Sequence, residues 1–362
     1  MIMQSYFRTD LLDKEPSIIS VPQRRRMMCL NESCLDPYQA IKDQFLRRME
    51  GVNLNRYISP LTAQLHQKLA EYVGCGIGTK NLIWGNGADD VLYHIFLSVR
   101  DNDGGFATCL APSYFDYKTF CDAVGLPIRF VELNEDFSFD TESYLSHATD
   151  PKCKLAILCN PNNPTGNLFP MEQLRHIVDA LPNKLVLIDE TYYEFSDHSF
   201  VGELAEHPNL ILTRSFSKAF SGAGLRFGYA ISSEANIYEL SKVFTTFHTS
   251  ILNQTFALTI LENVPLFCAQ VLYTLELREQ MYHMMASIDG LKVYPSNTNF
   301  LTFTIGEKTI ELFEYLKDND IALRNVGAHR RLKNCLRATL SCADDNDALL
   351  EHIIKFMTSR SQ

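Results

Sequence analysis

The sequence predicts an α/β fold whose main sheet is mostly parallel, and three observations carry that prediction. Short apolar runs of strand length alternate with segments of helical period. Three consecutive runs, LAILC at 155–159, LVLI at 185–188 and LILT at 210–213, recur at about the length of a βα unit, and each ends in a polar, loop-forming cluster. At 362 residues the chain accommodates about two domains of roughly 150 residues each. Nothing repeats closely enough to suggest a solenoid.

The remaining elements follow in chain order. LIW at 82–84 precedes a glycine-rich turn and the helix-like DDVLYHIFLSV. FATCL at 106–110 follows an Asp-Gly turn and leads into APSYFDY. Beyond Ala230 longer helical stretches take over, including 267–288, where apolar residues recur at helical spacing. A smaller set closes the chain: FLTFTI, the helix-like KTIELFEYLKD, IALR, CLRATL and a final helix, DNDALLEHIIKFM. This pattern predicts a large domain over 50–260 and a small domain over 261–362, completed by an N-terminal arm over 1–49.

Composition limits the function. With 46% hydrophobic and 21% charged residues the chain is neither disordered nor fibrous and buries a sizeable core. A net charge of −10 argues against a nucleic-acid partner, which calls for a basic stripe that releases counterions from phosphates. The one basic run, Arg24, Arg25 and Arg26, reads as a solvated face or arm. No apolar stretch approaches the roughly 20 residues that span a bilayer, and MIMQSYFRTD lacks the apolar core of a signal peptide, so a cytoplasmic protein without a membrane partner is expected. Ten cysteines form no C-x-x-C pair; Cys109, Cys159, Cys335 and Cys342 sit in strand-like runs and read as reduced core thiols. Ten histidines show no ligand spacing, so no metal is expected.

In open α/β sheets ligands bind beyond the carboxyl ends of the strands. The residues after the three central runs are NPNNPTG, DETYYEF and RSFSKAF, a concentrated polar set at one predicted edge. Asp189 follows LVLI so closely that it needs a cationic or hydrogen-bonding partner, because an unpaired buried carboxylate is costly. Lys218 holds the equivalent place after LILT, and a desolvated lysine is the usual amine for a Schiff base with a carbonyl. Each alone has a plainer reading, a turn-capping aspartate and a solvated lysine. Their joint placement beside NPNNPTG is harder to dismiss.

NPNNPTG, DETYYEF and SFSKAFSGAGLRFGY resemble the pyridoxal-phosphate-dependent aminotransferases of fold type I, and within them the histidinol-phosphate aminotransferase group. The resemblance runs from LNE at 30–32 to CLRATL, and SKAF followed by AGLRFGY is its most specific part. It implies a large domain with a mostly parallel mixed sheet flanked by helices, a smaller α/β domain, and pyridoxal 5'-phosphate as cofactor. By this resemblance Lys218 forms a Schiff base with the cofactor and then shuttles a proton in a ping-pong transamination. Asp189 pairs with the ring nitrogen, Asn163 and Tyr192 hydrogen-bond the ring's phenolic oxygen, and Tyr114 stacks on the ring. Ser215, Ser217 and Arg226 supply phosphate contacts, with Gly87, Ala88 and Asp89 at a helix start where N–H groups face an anion. Tyr57 resembles the tyrosine that reaches the phosphate in the neighbouring subunit, which implies a homodimer with shared active sites. Arg337 matches the arginine that clamps the substrate carboxylate and Arg324 the one associated with a substrate phosphate, with Asn163 also on the substrate side. The plainer reading of both arginines is a surface salt bridge. GNGADD lacks the third glycine of a dinucleotide fingerprint, and GCGIG has no suitably placed acid, which disfavours a nicotinamide cofactor.

The sequence departs from the group on the substrate side. A Pro-Tyr pair expected near the start is replaced in KEPSIIS by Pro16 and Ser17; the NENPYG element reads NESCLDPY, keeping Asn31 and Glu32; and a Pro-Tyr-Asn segment becomes TTFHTS at 245–250. These departures touch the side-chain pocket rather than the cofactor, so the cofactor chemistry is better supported than the substrate; an amino group moving between glutamate with 2-oxoglutarate and histidinol phosphate is the leading expectation. A threonine-phosphate decarboxylase-like lyase and a broad aromatic aminotransferase are the alternatives on the same scaffold, and a cofactor-binding regulator without turnover is a further one.

Overall fold

The three central apolar runs lie next to one another in a seven-stranded sheet in the computed structural model, which describes residues 8–11, 14, 21 and 23–359. Strand β1 (Arg26–Met27) and helices α1 (Tyr38–Met49) and α2 (Leu61–Val73) come first. An alternating stretch follows: β2 (Leu82–Gly85), α3 (Ala88–Val99), β3 (Phe106–Ala111), α4 (Asp116–Val124), β4 (Ile128–Glu132), α5 (Thr141–Ala148), β5 (Cys153–Cys159), α6 (Met171–Ala180), β6 (Leu185–Asp189), β7 (Leu210–Ser215) and β8 (Gly228–Ser232). The chain continues through α7 (Glu234–Ser241), α8 (Ile251–Leu261), α9 (Val264–Ala286), β9 (Lys292–Val293), β10 (Phe300–Thr304), α10 (Thr309–Asp318), β11 (Ile321–Ala322), β12 (Arg324–Asn325), β13 (Leu336–Thr339) and α11 (Ala343–Thr358).

Seven strands lie side by side in the order β2-β8-β7-β6-β5-β3-β4. Pairings from β4 through β7 are parallel, while β8 runs antiparallel to both β7 and β2. Helices cover both faces, which is why β5, β6 and β7 read as continuous apolar runs rather than alternating ones. On one face Leu155, Ile157, Leu187 and Ile211 pack against Val91, Ile95 and Tyr117. On the other, Leu158, Ile188 and Leu212 pack against Leu174, Ile177 and Leu258. Each fully buried aliphatic side chain of this kind contributes about 1.5–3 kcal/mol.

A second sheet, antiparallel in the order β12-β13-β10-β9, is backed by α9, α10 and α11 through Met281, Leu312, Leu349 and Ile353. In a separate two-stranded sheet β1 pairs in parallel with β11, so Arg26 and Met27 sit beside the C-terminal third of the chain. Three sequence expectations differ in detail. IALR, read as one strand, is split between β11 and β12, which belong to different sheets. Strand β4 escaped notice because it is an edge strand with only Val131 buried, so it shows no apolar run. Cys342 is not a core thiol like Cys109, Cys159 and Cys335 but the half-buried N-cap residue of α11. Among the described residues no single helix is long and apolar enough to cross a membrane.

Candidate active site

The carboxyl ends of β5, β6 and β7 open into a cavity of about 390 Å³, lined at its floor by Asn163, Asp189, Ser215 and Lys218. Asp189 is the last residue of β6 and is only 3% exposed. The partner its position demanded is a pair of hydroxyls. Tyr117 Oη donates to Oδ2 at 2.6 Å, and Thr191 Oγ1 donates to Oδ1 at 2.7 Å. Burial pushes the Asp189 carboxyl up, and these donors pull it back. A cationic ring nitrogen brought next to Asp189 would restore the charged form.

Lys218 lies in the turn that follows β7, and its Nζ donates to the carbonyl of Leu30 at 3.0 Å. Burial, reinforced by the nearby Arg337, lowers its pKa to about 8. An amine so depressed is far more often neutral, hence nucleophilic, than a surface lysine.

One wall is built to receive an anion. Helix α3 starts at the cavity, with Ala88 and Asp89 on its first turn lining it. Gly87 caps that helix at φ 92°, and a Cβ there would lie 2.4 Å from Arg226 Nη2. Gly228 is required as strictly, since its Cβ would fall 2.2 Å from the Ala88 nitrogen. Arg226, itself in the left-handed region at φ 55°, reaches Ser217 Oγ at 3.5 Å and Asp89 Oδ2 at 3.2 Å. Ser215 Oγ accepts from the Ser217 nitrogen at 3.1 Å, which orients the Ser215 hydroxyl.

The opposite wall comes from distant parts of the chain. Tyr192 Oη accepts from Asn31 Nδ2 at 2.8 Å, and the Tyr192 ring stands edge-on to Phe300. Asn31, at φ 55°, is a residue that the divergent NESCLDPY stretch retains. Arg337 in β13 is buried: Nη1 donates to Asn163 Oδ1 at 2.6 Å and Nη2 to the Cys29 carbonyl at 3.0 Å. Its Nε has no hydrogen-bond partner among the described residues, so the fork keeps donor capacity for a ligand. Tyr114 Oη donates to Asp89 Oδ1 at 3.1 Å. Arg324 lines the mouth, its guanidinium 5.6 Å from the Phe115 ring centroid. Neither arginine makes a salt bridge among the described residues, so the plainer reading of a surface ion pair does not describe them.

Of the residues singled out from the sequence, Ala88, Asp89, Tyr114, Asn163, Asp189, Tyr192, Ser215, Ser217, Lys218, Arg226, Arg324 and Arg337 line this one cavity, and Gly87 caps the helix that bounds it. Tyr57 does not. It is 77% exposed, stacked on Phe247 with ring centroids 4.6 Å apart. Sequence reasoning missed Tyr117 and Thr191, the two hydroxyls on Asp189. It also missed Phe115 and Asp116 at the mouth, because the helical character of 116–124 is masked by APSYFDY. Pro16 and Ser17 lie outside the described residues. In TTFHTS the imidazole Nε2 of His248 lies 2.8 Å from the carbonyl of Trp84, and the His248 carbonyl accepts from Asn86, so this segment braces the turn after β2.

The donors fit pyridoxal phosphate: a depressed lysine for its aldehyde, a buried carboxylate for its ring nitrogen, and a helix start with Arg226 and two serine hydroxyls for its phosphate. Comparison with known proteins agrees. The family model "Aminotransferase class I and II" matches residues 27–355. Histidinol-phosphate aminotransferase of Thermoanaerobacter sp. (strain X514) is 32% identical over 340 residues, covering 93% of this chain and 94% of that protein. Its counterpart in Christiangramia forsetii is 33% identical over 335 residues, covering 89% and 94%. Among solved structures, histidinol-phosphate aminotransferase from Sinorhizobium meliloti in complex with pyridoxal-5'-phosphate superposes with a TM-score of 0.84 at 23% identity over 98% of both chains. L-threonine-O-3-phosphate decarboxylase from Porphyromonas gingivalis superposes with a TM-score of 0.78 at 20% identity, covering 92% of this chain and 99% of that one, so the fold alone does not separate the two chemistries. Sequence kinship over nearly the whole chain does, and it places the protein in the class I and II aminotransferase family as a pyridoxal-phosphate-dependent aminotransferase of fold type I.

Proposed function

We propose that the enzyme takes the amino group of L-histidinol phosphate and passes it to 2-oxoglutarate, which leaves as L-glutamate. The observation that carries this reading is the pair of arginines on the substrate side that make no salt bridge among the described residues, Arg337 deep beside Asn163 and Arg324 at the mouth over Phe115. Two guanidinium groups at different depths suit a substrate pair in which one member carries a carboxylate and the other a phosphate. The histidinol-phosphate aminotransferases matched at 32% and 33% identity support it.

Bound pyridoxal phosphate supplies an aldehyde that captures the amine and a ring that takes up the electron pair left on the substrate carbon. Asp189, held by Tyr117 and Thr191, would keep a proton on the cofactor's ring nitrogen. Lys218 Nζ would take the proton from the substrate carbon and deliver it to the carbon that had been the cofactor's aldehyde. Arg226, Ser215, Ser217 and the first turn of α3 would hold the phosphate, Tyr192 and Asn163 would orient the ring oxygen, and Tyr114 would pack against the ring.

We also infer a cytoplasmic homodimer. Tyr57, Ile58 and Leu54 form an exposed apolar patch with Phe247 and Leu252, the kind of surface a second copy covers. All ten cysteines are free, which suits a reducing compartment.

The test is to supply the pyridoxal-phosphate-loaded enzyme with 2-oxoglutarate and L-histidinol phosphate and to measure L-glutamate. Glutamate formed at a rate well above that with L-phenylalanine supports the reading. Carbon dioxide released from L-threonine phosphate, with no glutamate from histidinol phosphate, would move the enzyme to the lyase chemistry.

A further inference from the structure

Behind the cavity floor, on the other face of the sheet, lies a polar cluster for which the amino-transfer chemistry has no use. Asp189 and Glu190 are consecutive, so their side chains leave opposite faces at the end of β6, and Arg214 and Ser215 do the same at the end of β7. Asp189 and Ser215 line the cavity. Glu190 and Arg214 are 1% and 2% exposed and face each other, with Arg214 Nε donating to Glu190 Oε2 at 2.9 Å.

The pair is held on every side. Phe200 N donates to Glu190 Oε1 at 2.6 Å, and Ser199 Oγ donates to Oε2 at 2.9 Å. Arg214 Nη2 donates to the same Ser199 hydroxyl at 2.7 Å, and the guanidinium lies 3.6 Å from the Tyr193 ring centroid. Backbone pairing continues past the strand, with Glu190 N donating to Thr213 O at 2.8 Å.

We propose that the Glu190–Arg214 pair is a positioning element that clamps the ends of β6 and β7 from behind, fixing the spacing between Asp189 and the turn that carries Lys218. A buried ion pair is weak ground for stability as such, since apolar residues of the same volume commonly do as well. Each partner here, however, is the immediate chain neighbour of a cavity residue, so a backbone shift at Glu190 or Arg214 moves Asp189 or Ser215 with it. A second carboxyl adjoins the pair: Glu194 Oε1 accepts from Tyr72 Oη at 3.2 Å, and Tyr72 Oη lies 2.6 Å from Tyr193 Oη. One guanidinium cannot balance both carboxylates, and desolvation of the half-buried Glu194 lifts it to about 8. At neutral pH Arg214 is thus left to Glu190.

The variants Glu190→Gln, Ser199→Ala, Arg214→Lys and Arg214→Met test this. Three quantities are measured: the dissociation constant of pyridoxal 5'-phosphate by equilibrium dialysis, the pH midpoint of the loaded enzyme's visible absorbance, and the thermal midpoint of the cofactor-free protein. Glu190→Gln is expected to weaken cofactor binding about tenfold or more and to move the pH midpoint. Ser199→Ala should produce the same two changes to a smaller degree. Arg214→Lys, which keeps the charge but not the fork that reaches both Glu190 and Ser199, should fall between wild type and Arg214→Met. Lower thermal midpoints with unchanged cofactor affinity and an unchanged pH midpoint would overturn the proposal. Should Arg214→Met fail to fold, Glu190→Gln and Ser199→Ala decide it on the same readouts. None of these measurements uses an amino donor, so the outcome is independent of which substrate the enzyme takes.

Discussion

The floor and the mouth of the cavity are built by different means. At the floor, Asp189, Ser215 and Lys218 stand within or just beyond adjacent parallel strands, largely withdrawn from solvent and held by hydrogen bonds. At the mouth, Arg324 and Phe115 come from a two-residue strand and a helix start far apart in the chain, and Phe115 is half exposed. On the proposed roles, the groups that would handle the cofactor sit where backbone register leaves them little freedom, whereas those that would choose the substrate sit where a changed loop costs the fold little. The same scaffold can thus keep its chemistry while its substrate drifts.

The largest expected effect tests the floor. Lys218→Ala should lower glutamate formation by at least about four orders of magnitude, since it removes both nucleophile and proton carrier; turnover above that level would remove Lys218 from the chemistry. The same position yields a stability prediction. Lys218 has a folded-state pKa of about 8, below its ordinary 10.5, so the unfolded chain binds more protons between those values. The cofactor-free protein should therefore gain stability as pH rises through that window, and Lys218→Met should abolish the gain in thermal melts.

Asp189→Asn comes next, with a loss of about 10²–10⁴ in kcat, because an amide cannot hold a proton on the ring nitrogen. A smaller loss would mean that Tyr117 and Thr191, not charge, carry the role. For Arg337→Lys the expected change is a rise in KM for glutamate of about ten- to a hundredfold with kcat less affected, since an ammonium cannot reproduce the fork. The mouth should respond least and most selectively: Arg324→Ala is expected to raise KM for phosphorylated donors about tenfold and to leave glutamate unchanged. Equal effects on both would erase the distinction between floor and mouth.

A separate stability effect concerns the cluster behind the floor. Glu194 keeps its proton in the folded state up to about pH 8, whereas the unfolded chain releases it near 4.5. Its contribution to stability is present below 4.5 and lost as pH rises toward 8. Thermal midpoints of Glu194→Gln, compared with wild type across that range, should lack this decline.

Much of the floor was legible beforehand because its residues follow apolar runs directly. NPNNPTG, DETYYEF and SFSKAF each begin where a strand ends, and parallel pairing brings such ends together. Tyr117 and Phe115 were not legible, because α4 begins inside a stretch with no helical period of its own. Nor was the Glu190–Arg214 pair, whose members are 24 positions apart and meet only through the register of β6 on β7.

By itself the sequence determined the alternation of strands and helices, the burial of β5, β6 and β7 on both faces, and the identity of the lysine and aspartate at their ends. These are local consequences of residue order: periodicity selects the element, and a polar residue after an apolar run must lie at its end. Tertiary structure alone decided which hydroxyls hold Asp189, that Asn31 braces Tyr192, and that Arg337 turns toward Asn163 while Tyr57 turns away from the cavity of its own chain. Those contacts join residues up to 174 positions apart. They depend on strand register and helix packing, which no short window of sequence specifies.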